Sequence, residues 1–220
     1  MGETKKNSKA TSILKNNPLT SIVKGNIGII VVLIIMCVAV ALATDKFLTT
    51  NNIISVLRQI SINTYIALGM TLIIILGHID LSVGSIVAMS GTLTVGFIVN
   101  QGLPLGVAIV AGLLVGTAAG FISGFIVANF KVPAFIITMA MMNIASGIAY
   151  VYTGGQSTRI TNKIFIEIGT GYLFNVIPLP VVYMVVLIIL FSFILSKTKF
   201  GTYVYAVSYT HLRAHETELH

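Results

Sequence analysis

Apolar residues in this chain come in long runs separated by short polar clusters, without the strict alternation that marks a half-buried strand. The first run, Ile27–Ala43, is unbroken. At ~1.5 Å per residue it covers about 26 Å, close to the thickness of bilayer hydrocarbon. Further runs at Ile53–Leu76, Ser85–Val99, Leu105–Ala128, Ala134–Tyr152 and Val181–Leu195 predict five more spans. Between them lie a polar loop at Asp45–Asn52, a break at Gly77-His78-Ile79-Asp80 and a turn cluster at Asn100-Gln101-Gly102-Leu103-Pro104. Lys131 and Pro133 mark the next boundary, since proline is tolerated where a helix begins. Thr153–Pro180 is the longest non-apolar connection and carries Arg159, Lys163 and Glu167. The expected fold is all-α, a polytopic transmembrane helix bundle. Ala41-Leu42-Ala43 has the small-residue look of a signal cleavage site. The length of the run and the spans that follow favour a retained first helix instead.

Composition rules out the soluble alternative. The 220 residues are 56% hydrophobic and only 9% charged, against about a quarter charged in a soluble domain. So few polar groups could not cover a core of that size. The net charge of +7 does not indicate nucleic acid, because the lysines gather at the amino end and form no basic face interleaved with aromatics. They orient the bundle instead. With the amino terminus cytoplasmic, Lys5, Lys6, Lys9, Lys15, Lys24, Lys131, Lys197 and Lys199 fall inside, and only Lys46, Arg159 and Lys163 fall outside. That is the expected bias of membrane proteins. Arg58 sits at the outer boundary of the second span. The expected organisation is a basic cytoplasmic arm over residues 1–26, a membrane domain over 27–207 and a polar tail over 208–220.

Few residues could carry chemistry. Gly112, Gly116, Gly120 and Gly124 recur every four residues in the fourth span, which puts them on one face and lets another backbone approach closely. That face is either a packing seam or a surface that slides during gating. Asp80 is the only acid between Asp45 and Glu167. It either caps the next helix with Ser82 and Ser85, or acts in gating, or binds substrate or ion. His78, beside the break, has no partners at zinc-binding spacing. Asn63, Thr64, Thr138, Asn143 and Ser146 are polar residues within spans. They serve interhelical hydrogen bonds or a polar path for an uncharged solute. Cys37 lies alone in an apolar run, so no disulfide framework or metal cluster is expected. Nucleotide-binding loops, nucleophile elbows and zincin motifs are all missing, so no cofactor and no catalytic residue is expected. Any ATP would have to be hydrolysed by another chain.

The string Gly77-His78-Ile79-Asp80-Leu81-Ser82-Val83-Gly84-Ser85 resembles a motif of the membrane permease subunits of ribose-type ABC sugar importers. Other blocks are similar to the same family and stand in the same order. They are Phe47-Leu48-Thr49-Thr50-Asn51-Asn52-Ile53-Ile54-Ser55-Val56-Leu57-Arg58-Gln59, Gly69-Met70-Thr71, Val132-Pro133-Ala134-Phe135-Ile136 with Met141-Met142, Tyr152-Thr153-Gly154-Gly155, Ile177-Pro178-Leu179-Pro180 and the stretch from Lys199 to Val207. The resemblance covers about residues 45–207 and implies a permease for a monosaccharide such as ribose in the cytoplasmic membrane.

The resemblance also implies partners: an ATP-binding subunit, an extracytoplasmic sugar-binding protein delivering to the loop around Thr153–Pro180, and a second permease copy, identical or different. It places Gly77, Asp80, Leu81, Ser82, Gly84 and Ser85 in the gating motif. Lys199, Phe200, Gly201 and Tyr203 would face the ATPase. The family carries a second glycine where His78 stands, which leaves the local turn open. After Val207 the family continues into a Gly-Gly-Asn stretch, a docking helix and further spans. Here Ser208–His220 reads SYTHLRAHETELH, expected to be an assembly or read-through artefact. His211 and His215, four apart, could share a helical face, but no pocket frames them for a metal. A permease for branched-chain amino acids or another small solute is the nearest alternative, and a non-transporting membrane scaffold is the more distant one.

Overall fold

A computed structural model describes residues 25–207. The arm up to Lys24 and the tail from Ser208, with His211 and His215, lie outside the described residues. Seven helices and one hairpin are delimited: α1 (Ile27–Ala43), α2 (Thr50–Ile75), α3 (Val83–Val99), α4 (Leu105–Phe130), α5 (Ala134–Thr153), α6 (Lys163–Thr170), β1 (Tyr172–Leu173), β2 (Ile177–Pro178) and α7 (Leu179–Lys197). Residues 199–207 are also helical. Among the described residues α2, α4, α5 and α7 are long and apolar enough to cross a membrane. The helices α1 and α3 are shorter, at 17 residues each, and equally apolar. All six expected spans are therefore present as helices, with ends moved by a few residues. Large apolar side chains cover their outer surfaces, as lipid requires and water would not permit.

Contacts divide the chain into two units, with the boundary inside α2 after Val56. In the first, α1 buries none of its residues. The turn after it is tied locally. Thr49 Oγ1 donates to the Lys46 carbonyl at 2.8 Å and Asn52 Nδ2 donates to the Phe47 carbonyl at 2.7 Å. The same Thr49 hydroxyl accepts the Asn52 N–H at 3.4 Å, capping α2.

In the second unit α3, α4 and α5 pack on one another around Met89, Ala119, Met141 and Ala145. In lipid there is no water to drive helices together, so close fit must do the work. Small residues provide it. A Cβ added at Gly112 would collide with Thr94 Oγ1 and stand 3.2 Å from the Ser90 carbonyl oxygen. At Gly116 it would stand 2.7 Å from Ser90 Oγ. At Gly96 on α3 it would overlap the Tyr152 ring of α5. Gly96 is a close approach that the spacing pattern of α4 did not reveal.

The expected loop from Thr153 to Pro180 is not all loop. Its second half folds into α6 and an antiparallel hairpin pairing Tyr172 with Pro178 and Leu173 with Ile177. Asn162 caps α6 by accepting the Phe165 N–H at 3.1 Å. An eight-residue helix is too short for a hydropathy pattern to detect. The α2 helix holds this module through Arg58 and the start of α7 through Tyr65. Arg58 Nη2 donates to the Thr170 carbonyl at 2.6 Å, with its guanidinium 4.9 Å from the Tyr172 ring centre. Tyr65 donates its hydroxyl to the Pro180 carbonyl at 2.5 Å.

The two halves of the α4 glycine row should respond differently to a methyl group. Gly112→Ala is expected to cost about 1–2 kcal/mol by overpacking, whereas Gly124→Ala, with open space at its Cβ, should be neutral or stabilising by up to about 1 kcal/mol. Thermal unfolding in detergent would show both.

Candidate functional site

The break between α2 and α3 is built from backbone pairing and one carboxylate. At the end of α2 the Gly77 N–H bonds to the Ile74 carbonyl at 2.9 Å and the His78 N–H to the Ile73 carbonyl at 3.0 Å. This is a complete Schellman termination. It needs a left-handed residue only at Gly77, whose φ is +78°. The histidine at position 78 therefore leaves the turn intact, and the question raised by the missing second glycine is answered locally. Asp80 Oδ1 then accepts both the Ser82 N–H at 2.7 Å and the Ser82 hydroxyl at 2.6 Å. Ser82 is fully buried at the head of α3. Asp80 thus closes an Asx turn that fixes where α3 starts.

A cavity of about 950 Å³ opens beside this break. It is lined by Gly77, His78 and Asp80 from the break, by Gly120, Ser123 and Gly124 from α4, by Lys131, and by Phe135 and Thr138 from α5. Residues singled out for three different reasons thereby meet at one place. Gly112 and Gly116 lie against α3, while nothing stands within 4 Å of an added Cβ at Gly120 or Gly124. Thr138 is buried, and its hydroxyl bonds to the Phe135 carbonyl at 3.3 Å and reaches the Ile79 carbonyl at 3.5 Å. Lys131 ends α4 in the left-handed region, at φ 54°. Leu81 points away, 40% exposed, and Gly84 has open space around it. Asn63 and Asn143 are exposed and line neither this cavity nor the next. Thr64 returns its hydroxyl to the Ile60 carbonyl at 2.8 Å, and Asn143 its amide to the Met139 carbonyl at 3.0 Å.

A second cavity, of about 620 Å³, lies at the other end of α5. Its polar lining includes Thr92, Ser146, Thr153, Gln156, Ser157 and Thr158. Ser146 also donates to Ser85 at 3.0 Å, linking α5 to the start of α3. Thr92, Gln156, Ser157 and Thr158 were not singled out in the sequence, because Thr92 lies in the middle of an apolar helix and the other three look like ordinary loop. Along α5 the order is Thr138, then Met141 and Ala145, then Ser146 to Thr153. The apolar cluster therefore stands between the two cavities.

The helix at 199–207 turns on Gly201. A Cβ there would strike the Leu195 backbone. Gly201 and Val204 face inward, while Lys199, Phe200 and Tyr203 are exposed. Cys37 is exposed, and no group of His, Cys, Asp or Glu that could hold a metal occurs among the described residues.

Residues 52–210 match the family described as branched-chain amino acid transport system / permease component. The chain belongs to that permease family. Among its relatives, the ribose import permease protein of Haemophilus influenzae is 40% identical across 80% of this chain and 55% of its own length. That of Bacillus subtilis is 38% identical over 80% of the chain and 54% of its own. The L-arabinose ABC transporter permease of Azospirillum brasilense is 34% identical over 82% and 52%. This permease chain spans about half the length of these curated relatives. No solved structure matches it. Together with its apolar helices, the kinship makes it a multi-pass protein of the cytoplasmic membrane.

Replacing Asp80 separates its structural role from its charge. Asp80→Asn keeps an acceptor for Ser82 and should cost under about 1 kcal/mol, whereas Asp80→Ala should cost about 1–3 kcal/mol by stranding buried Ser82. Equilibrium unfolding of both variants in mixed micelles would separate these outcomes.

Proposed function

We propose that this chain is part of the permease subunit of an ATP-driven importer for a monosaccharide such as ribose. The observation that carries the reading is the lining of the second cavity. Its polar groups are hydroxyls and amides and none is charged. Such groups replace water around a sugar hydroxyl by hydrogen bonds of modest net strength, about 1 kcal/mol each. That suits a solute that must bind and then leave. The ribose and arabinose permeases among the relatives support the same substrate class.

In this reading the two cavities are the ends of one path, closed by Met89, Ala119, Met141 and Ala145. Asp80 and Gly77 hold the start of α3 so that α3 moves as a body when the path opens to either side. Gly120 and Gly124 leave room on α4 for that movement. Passage is non-covalent, and ATP is hydrolysed in a separate ATP-binding subunit, which Lys199, Phe200 and Tyr203 would meet. A sugar-binding protein would dock outside, over the loop ahead of α6 at residues 153–162, and a second permease copy, identical or different, would complete the assembly. The lysine bias supports an amino terminus in the cytoplasm. A branched-chain amino acid is the second reading. The family's description favours it, and so does the presence of His78, Asp80 and Lys131 around the first cavity, where a zwitterion would find charged partners.

Uptake of labelled ribose and of labelled leucine by vesicles holding the full-length permease and its ATP-binding subunit, supplied with the binding protein, tests this choice. Ribose uptake is expected, with Thr92→Val and Ser146→Val each weakening it about fivefold, the loss of roughly one hydrogen bond. Leucine uptake in place of ribose would overturn the sugar reading.

A further inference from the structure

The module formed by α6 and the hairpin exposes apolar side chains where the membrane surface should be, and two independent measures give its depth. From Arg58 to the end of α2 at Ile75 the helix rises about 26 Å, close to the ~30 Å of bilayer hydrocarbon. Arg58 therefore stands at the interface opposite the break, and it is Arg58 that grips Thr170 and Tyr172. The α7 helix is 19 residues long, or about 28 Å, and ends at Lys197. Its first residue, Leu179, directly follows the hairpin strand that ends at Pro178. Both measures set the hairpin at the headgroup boundary.

The chemistry of the module fits that depth. On α6, Lys163, Glu167 and Thr170 share one face with Ile166 at its edge, while Ile164 and Ile168, four residues apart, share another, and all three isoleucines are exposed. At the hairpin tip Phe174 and Asn175 both have positive φ, 51° and 61°, and the Val176 N–H bonds back to the Leu173 carbonyl at 3.2 Å. This is a type I′ turn, which asparagine tolerates and phenylalanine resists. Its effect is to hold Phe174 outward at 85% exposure, beside Val176 at 71%. Backbone strain spent on exposing an aromatic ring has no return in water.

We infer that the segment Lys163–Pro178 is an interfacial element that seats Ile164, Ile168, Phe174 and Val176 among lipid headgroups and upper acyl chains. A short helix with one charged and one apolar face lies in the interface in this way. Arg58 holds it there: its guanidinium binds the Thr170 carbonyl and packs on the Tyr172 ring, so α2 and α7 share one anchor at the outer surface. The inference rests on the membrane spans alone and is independent of what the permease carries.

The chain has no tryptophan, so Phe174→Trp makes a single reporter. The variant would be placed in phosphatidylcholine vesicles, with and without bromine at shallow acyl positions. The expected result is quenching of about twofold by the shallow bromines, with weak quenching by acrylamide. Val176→Trp, outside the two left-handed positions, should report the same and covers the case in which the first variant does not fold. Strong acrylamide quenching without bromolipid quenching would mean that the tip stands in water, where a soluble partner would reach it. Little quenching by either would mean that protein covers it, as a second copy would. Each of these results overturns the inference.

Discussion

In hydrocarbon every backbone N–H and C=O must find its partner within the chain, and the rest of this structure depends on how that is met where a helix breaks. Between α2 and α3 the chain leaves helical geometry at Gly77 and resumes it at Val83. The Schellman pairing closes the carbonyls of Ile73 and Ile74, and Asp80 takes the Ser82 N–H and hydroxyl. With those groups paired, the buried Ser82 is satisfied and the start of α3 is fixed beside the cavity. Its position then sets the packing of α4 and α5.

Close approach is the second constraint. Helices that share a lipid solvent gain little from apolar contact as such and must gain from fit. Gly96, Gly112 and Gly116 bring α3 against its neighbours. The same row then opens at Gly120 and Gly124, where the cavity begins. A single run of evenly spaced glycines thus does two things along one helix: half of it seals and half of it leaves room.

Much of this was legible from hydropathy alone, because lipid-facing helices carry their signal in unbroken length. The six spans and the break at Gly77–Asp80 are read that way, and the ordered motif blocks carry the family. Other features have no such signal. The α6 helix is eight residues long, and its two-faced pattern is submerged in a loop that is polar on average. The second cavity draws Thr92 from one helix and Gln156, Ser157 and Thr158 from a loop, so no local spacing links them. Gly96 matters because Tyr152 arrives from another helix. Asn63 and Asn143 look like path residues by type, yet the side-chain bond that Asn143 forms serves its own helix. Polarity within a span does not by itself say which way a side chain faces.

In the proposed mechanism the two cavities are opposite ends of one path, divided by Met89, Ala119, Met141 and Ala145. The most direct measurement is the accessibility of single cysteines to a membrane-impermeant thiol reagent, in a Cys37→Ser background. Thr158→Cys reports the second cavity and Ala134→Cys the first. The two are expected to be labelled from opposite sides of the membrane, with nucleotide binding to the assembled importer raising one rate while lowering the other. Labelling of both from the same side, or rates that rise and fall together, would contradict it.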